Sequence, residues 1–251
     1  MSSGTESHPT ILLLQARTPD DPILEHEFEC FVARTRYPAS AFRAVNMASQ
    51  GARPDLLDGV DMVTVGGAGD FSVVDADFPW YDGMLDTMRA VVDRGVPMFA
   101  SCFGFHALVA AMGGRLVRDE ERSEIGTYEI RLSGEGREDP FLSDFPGRFD
   151  AQLGHKDCVD ELPRELVRLA GSDRCRHQAA RLPDRPIYAT QFHPELTADD
   201  NIERYARYIQ NYKGLDESHA DAMARAERIH RESPVAERML DRFIDQCVEG
   251  N

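Results

Sequence analysis

The sequence predicts an α/β protein built on a doubly wound, mostly parallel sheet, followed by a helical C-terminal extension. Three observations carry that prediction. Continuous apolar runs, the pattern of strands buried on both faces, recur through the first half of the chain. Segments with apolar residues at helical spacing separate them, which is the rhythm of βαβ units. Residues 216–248 then form a charged, helix-prone tail.

In chain order, residues 10–15 (Thr-Ile-Leu-Leu-Leu-Gln) form the first predicted strand. Residues 21–34 place Ile23, Phe28, Phe31 and Val32 at helical spacing, and residues 41–46 form a second strand. Residues 60–65 give a third, which closes on Gly66-Gly67-Ala68-Gly69. A helix over 81–93 leads to the strand that ends at Cys102, and a helix through 106–112 stops at Gly113-Gly114. Residues 127–132, 148–153, 166–170 and 186–192 alternate like β hairpins, and a helix is expected over 199–212. In the tail, Met223, Ile229, Val235, Met239, Leu240, Phe243 and Ile244 mark an apolar face suited to a packed helical hairpin or to a partner-binding arm. The expected division is a disordered lead over 1–9, a main domain over 10–213 and the extension over 214–251.

The 251 residues suffice for one full core, and a hydrophobic fraction of 42% is ordinary for a globular chain. No apolar run reaches the roughly 20 residues that cross a bilayer, and the first residues lack the features of a signal peptide. The expectation is a cytoplasmic protein. A net charge of −16 argues against nucleic acid and anionic membranes as partners. Five cysteines at wide spacing form no CxxC pair and no Cys/His cluster of zinc-like spacing. Neither a disulfide framework nor a metal or organic cofactor is therefore expected.

Chemistry concentrates at Cys102. An apolar run leads into it, small residues (Ala100 and Gly104) stand two positions to either side, and a helical pattern follows. That is the layout of a nucleophile elbow, in which a tight strand-to-helix turn holds the reactive side chain. The helix N-terminus beneath it offers unpaired N–H groups and partial positive charge, which favour thiolate over thiol. The alternative is a buried structural cysteine at a strand end. A cysteine nucleophile needs a base and a group that orients the base. Gln191-Phe192-His193-Pro194-Glu195, after an apolar strand, offers both in His193 and Glu195.

Taken together, these segments resemble the class I (triad) glutamine amidotransferases, most closely the amidotransferase domain of GMP synthases and its stand-alone relatives. The resemblance runs in order from about residue 10 to residue 213. It comprises Gly66-Gly67, the elbow at Cys102, Gly154-His155-Lys156-Asp157 with Leu162-Pro163, and Tyr188 through Glu195. It implies a flavodoxin-like sheet and a Cys102–His193–Glu195 triad that cleaves a γ-glutamyl amide through a thioester. It also implies an oxyanion hole formed by the N–H groups of Gly67 and Phe103. The substrate-binding positions it implies are Gly66, His106, His155, Lys156 and Asp157.

Two segments depart from the family pattern. The usual Gly-x-Cys-x-Gly-His-Gln reads Ala100-Ser101-Cys102-Phe103-Gly104-Phe105-His106, and the usual Ser-His-Gly-Asp reads Gly154-His155-Lys156-Asp157. Both lie in the expected pocket for the amino and carboxylate ends of the substrate. Lys156 is expected either to pair with a substrate carboxylate or to point to solvent. His106 either hydrogen-bonds the substrate amide or packs the elbow helix. No Gly-x-x-x-x-Gly-Lys-Ser/Thr stretch occurs, so ammonia would need an acceptor on a separate subunit, or the protein simply hydrolyses γ-glutamyl bonds. The expected activity is hydrolysis of a small γ-glutamyl substrate, glutamine or a relative. The alternatives are a γ-glutamyl peptidase acting on conjugates and a catalytically weak regulatory or binding protein. The extension is a candidate surface for self-association.

Overall fold

In the computed structural model, residues 8–212, 214 and 217–249 are described. Most of the expected lead, and part of the expected boundary near 213, lie outside these residues. Eleven strands and nine α-helices are found among them. The strands are β1 (Ile11–Ala16), β2 (Phe42–Asn46), β3 (Met62–Ala68), β4 (Met98–Ser101), β5 (Arg115–Arg118), β6 (Glu124–Leu132), β7 (Arg148–His155), β8 (Asp157–Glu161), β9 (Val167–Gly171), β10 (Ala179–Leu182) and β11 (Ile187–Thr190). The helices are α1 (Ile23–Ala33), α2 (Met47–Gln50), α3 (Tyr81–Arg94), α4 (Phe103–Ala111), α5 (Gly134–Arg137), α6 (Ala198–Arg207), α7 (Ile209–Tyr212), α8 (His219–Ile229) and α9 (Met239–Glu249).

Nine strands form one sheet in the order β2-β1-β3-β4-β11-β10-β9-β6-β7. Pairing is parallel from β2 to β11 and antiparallel from β11 to β7. The sheet is thus mixed, with its parallel half made by the first four strands and β11. β5 and β8 form a separate antiparallel pair.

β1 shows why the parallel half reads as an unbroken apolar run. Successive side chains point to opposite faces, and both faces are covered. Leu12 and Leu14 pack in the core on the α3/α4 side with Met84, Met88, Phe105 and Leu108. Ile11 and Leu13 pack on the other side with Phe31 of α1. α4 is apolar on nearly its whole circumference because it is buried. α6 starts at a capping box, in which the Thr197 hydroxyl accepts from Asp200 N at 3.1 Å and Asp200 Oδ2 accepts from Thr197 N at 2.8 Å.

Among the described residues of the extension, α8 and α9 pack into different clusters rather than as a helical hairpin. α8 packs its buried Ala222 and Ala226 with Tyr205 of α6 and Ile209 of α7. α9, by contrast, enters the main core, with Phe243 5.4 Å from the Phe99 ring of β4 and 5.9 Å from that of Tyr188 of β11. The apolar tail residues are explained by the sheet face they cover. The helix expected over 199–212 is interrupted at Tyr208, which separates α6 from α7. β5, β8 and β10 are additional strands, four or five residues each, too short to show a period.

Candidate active site

β3, β4 and β11 are neighbours in the parallel half, and their carboxyl ends bring together Gly67, Cys102 and the segment running to Glu195. Open α/β sheets gather ligand sites at these ends. Cys102 sits between β4 and α4 with φ 49° and ψ −99°. This left-handed conformation costs a non-glycine residue on the order of 1–3 kcal/mol, and the surrounding structure must hold it. That restraint includes a hydrogen bond from Cys102 N to the Thr190 carbonyl at 2.7 Å, which ties the elbow to β11. α4 starts without a side-chain cap, which leaves first-turn N–H groups facing the sulfur's surroundings.

His193 follows β11, and its N–H donates to the Gln152 carbonyl of β7 at 2.9 Å. Its Nδ1 lies 2.6 Å from Glu195 Oε1. Burial by itself lowers the histidine pKa. The Glu195 carboxylate and the Cys102 sulfur outweigh it and raise the value to about 9. Burial likewise raises the Glu195 pKa, but His193 and Arg204 bring it down to about 2. A Cβ on Gly67 would stand 2.8 Å from His193 Cε1. Only glycine lets the ring sit this close to β3.

Behind Glu195 lies a buried chain of alternating charge. Arg204 NH1 of α6 reaches Glu195 Oε1 at 3.3 Å, and NH2 reaches Glu27 Oε1 of α1 at 3.8 Å. Arg17 NH2 pairs with Glu27 Oε1 at 2.8 Å, while its NH1 donates to the Tyr208 hydroxyl at 2.7 Å. Tyr208 in turn donates to Asp21. Sequence reasoning missed this network. An arginine on a charged helix reads as solvated, so Arg204 gave no signal. Glu27 did give one, since it shares the buried face of α1 with Ile23, Cys30 and Phe31.

Cys102, Phe103, His106, His155, Lys156 and Asp157 line one cleft of about 500 Å³, together with Asp70, Arg118, Glu120 and Tyr212. Gly67, His193 and Glu195 do not themselves line this cleft, and Gly66 faces elsewhere, because a Cβ there would meet Glu27 Oε1 at 2.6 Å. His106 is used within the protein. Its Nε2 lies 2.7 Å from Gln191 Oε1, and Gln191 Nε2 donates to Cys102 Sγ at 3.7 Å. Burial pushes the His106 pKa down to about 4, so the ring is neutral and Nε2 carries the proton donated to Gln191. His155 is held by Glu124 Oε2 at 3.1 Å and by the Asp157 carbonyl at 3.0 Å. Asp157 accepts from Ser72 and from Arg118 Nε, the latter at 2.9 Å. Lys156 Nζ lies 3.4 Å from Glu120 Oε1 and is about one-third exposed, at 34%. A thiol at the open start of a helix, with a carboxylate-held imidazole on the adjacent strand's end, is the set of groups that acyl transfer uses.

Comparison with known proteins agrees with this architecture. Residues 43–208 match the family model for glutamine amidotransferase class-I. A stretch of 111 residues is 33% identical to GMP synthase [glutamine-hydrolyzing] of Vibrio cholerae, covering 44% of this chain and 21% of that protein. The corresponding enzyme of Aliivibrio salmonicida is 30% identical over 127 residues, or 50% of this chain and 24% of the relative. The matched region thus spans about a quarter or less of these relatives' length. Among solved structures, a glutamine amido transferase from Methylobacillus flagellatus superposes with a TM-score of 0.74 at 21% identity, covering 97% of this chain and 96% of that one. A glutamine amidotransferase from Thermotoga maritima gives 0.72 at 19% identity, with 97% and 100% coverage. The fold and the match over most of the chain define a class I amidotransferase domain. The chain belongs to the class-I glutamine amidotransferase family.

Proposed function

We propose that the protein hydrolyses a γ-glutamyl amide, with Cys102 as nucleophile, His193 as general base and then acid, and Glu195 orienting the imidazole. The Cys102 sulfur attacks the γ-carbonyl carbon and the C–N bond breaks. His193 delivers the thiol-derived proton to the departing amine, leaving a γ-glutamyl thioester. Water, deprotonated by His193, then cleaves the thioester to glutamate and free thiol. The N–H groups of Gly67 and Phe103 are proposed to hold the oxyanion, a contribution of about 3 kcal/mol per donor. The observations that carry this reading are the buried His193–Glu195 pair at 2.6 Å and the strained Cys102 that lines an open cleft, with the Cys102 sulfur among the groups that raise the His193 pKa.

A second reading, cleavage of γ-glutamyl conjugates with a larger leaving amine, is favoured by the cleft. Its volume of about 500 Å³ exceeds what free glutamine fills and falls in the range of sites for larger small molecules. In the first reading, the released ammonia would pass to a separate synthetase subunit.

The test offers glutamine and a series of γ-glutamyl amines in the presence of hydroxylamine, which intercepts a thioester as γ-glutamyl hydroxamate. Ammonia with hydroxamate from glutamine supports the amidotransferase reading. Glutamate and hydroxamate from conjugates alone support the second. If no γ-glutamyl compound gives hydroxamate, and Cys102 alkylates no faster than Cys247 at neutral pH, both readings fail and a binding protein remains.

A further inference from the structure

We infer a transition-metal site, of the class that takes Zn²⁺, between α1 and α6, formed by His26, Cys30 and Asp200 with Glu203 as a fourth ligand. His26 and Cys30 are separated by one helical turn of α1, so their side chains share a face. Asp200 and Glu203 are separated by three residues on α6, and the two helices lie against each other. Sulfur, imidazole nitrogen and carboxylate oxygen from the first three residues all lie within 4.8 Å of one another.

Measured from His26 Nε2, the separations are close to those of a small tetrahedral ion. With metal–nitrogen and metal–oxygen bonds near 2.0 Å and metal–sulfur near 2.3 Å, neighbouring ligand atoms stand roughly 3.3–3.5 Å apart. His26 Nε2 is 3.6 Å from Cys30 Sγ, 3.5 Å from Asp200 Oδ1 and 3.6 Å from Glu203 Oε2. The sulfur is nearly as close to Nδ1, at 3.8 Å. A turn of the partly exposed imidazole is therefore needed to aim a nitrogen lone pair at the ion. Asp200 divides its labour, since Oδ2 accepts from Thr197 in the helix cap while Oδ1 faces His26.

The donor set selects the ion. One sulfur, one nitrogen and two carboxylates suit a borderline-soft cation better than Ca²⁺ or Mg²⁺, which take oxygen. Arg34, with NH2 3.7 Å from Asp200 Oδ2, disfavours any cation that binds by charge alone. On binding, the Cys30 S–H bond breaks, the sulfur bonds the metal and the proton leaves to solvent, with no change in oxidation state. The ion would tie together the helices that carry Glu27 and Arg204, the pair behind Glu195. The two halves of the site are about 170 residues apart in sequence, which is why spacing along the chain does not reveal it.

The test titrates metal-stripped protein with Co²⁺ alone, and with Zn²⁺ against a chromophoric chelator. The expected result is one equivalent bound, with a thiolate-to-cobalt charge-transfer band in the near ultraviolet. That band should vanish in Cys30→Ser and persist in Cys102→Ser. His26→Gln, on the helix surface, should weaken Zn²⁺ binding by about 100-fold or more, beyond an outer-shell effect, and should abolish the Zn²⁺-induced rise in Tm. If Cys30→Ser does not fold, His26→Gln alone decides. Absence of binding at micromolar metal overturns the proposal, as does a band lost in Cys102→Ser and retained in His26→Gln.

Discussion

The floor and the rim of the cleft are built by different rules. At the floor, Cys102 is buried, as are His193 and Glu195, which do not themselves line the cleft, and the backbone beneath them comes from adjacent parallel strands. At the rim, Arg118 ends β5, Glu120 follows it and Lys156 lies between β7 and β8, and all three are held by partly exposed ion pairs. Exposed pairs of this kind contribute about 0–1 kcal/mol and rearrange easily. In the proposed reading, reactivity then rests on rigid structure and selectivity on adaptable structure. Substitutions at the floor should change rate, and substitutions at the rim should change which substrate is used.

The largest expected effect is at the floor. Cys102→Ser should lower kcat by about 10⁴-fold or more, on the scale of nucleophile removal in other triads, while Tm changes by little. Activity assay and calorimetry on the same sample check it. Large loss of Tm would instead mark Cys102 as a structural residue. One layer further back, Arg204→Met removes the cation between Glu195 and Glu27. Breaking a buried pair from one side costs on the order of 3–5 kcal/mol, and a displaced Glu195 lowers kcat by up to about 10²-fold. Arg204→Lys should recover stability better than geometry, so its Tm should exceed that of Arg204→Met while kcat stays low.

This division also tracks what could be read from the sequence. The elbow was legible because a strained turn admits few residue types, and the Gln191–Glu195 segment because chemistry restricts its members. The parallel strands were legible because two covered faces demand unbroken apolar runs. Arg204 was not, since its burial depends on α6 lying against α1, a long-range fact that no local pattern records. The role of α9 was half legible, because its apolar stripe showed that something is covered without saying what. His106 was legible as a departure from the family pattern, but its use was not, since Gln191 is 85 residues away.

The two floor histidines also give the fold opposite responses to pH. His193 titrates at about 9, above the ordinary value of 6.5. Its stabilising contribution is complete below pH about 6.5 and is lost as pH rises toward 9. His106 titrates at about 4, so the unfolded chain binds its proton first. Stability therefore falls as pH drops from about 6.5 to 4. Each effect is on the order of a few kcal/mol. Denaturant unfolding across pH 4 to 9 should show a maximum near 6.5. His106→Asn should flatten the acid side and His193→Asn the alkaline side. Unchanged slopes in both variants would dissociate these groups from the pH dependence.

The smallest effect belongs to the rim. Lys156 is one-third exposed and makes one ion pair, with Glu120 at 3.4 Å, so Lys156→Gly should leave Tm nearly unchanged. It should leave kcat nearly unchanged as well, because Lys156 is a rim residue whose ion pair is with Glu120, whereas the Cys102 sulfur is contacted by Gln191 and raises the His193 pKa. If the ammonium exchanges Glu120 for a substrate carboxylate, its loss raises KM for substrates bearing that carboxylate near the rim. Preference then moves toward glutamine. The expected change in relative kcat/KM is about 10-fold, roughly 1.4 kcal/mol. A uniform loss across substrates would place Lys156 in general binding. An equal fall in kcat would dissolve the distinction between floor and rim, because a rim side chain would then act on the reacting atoms.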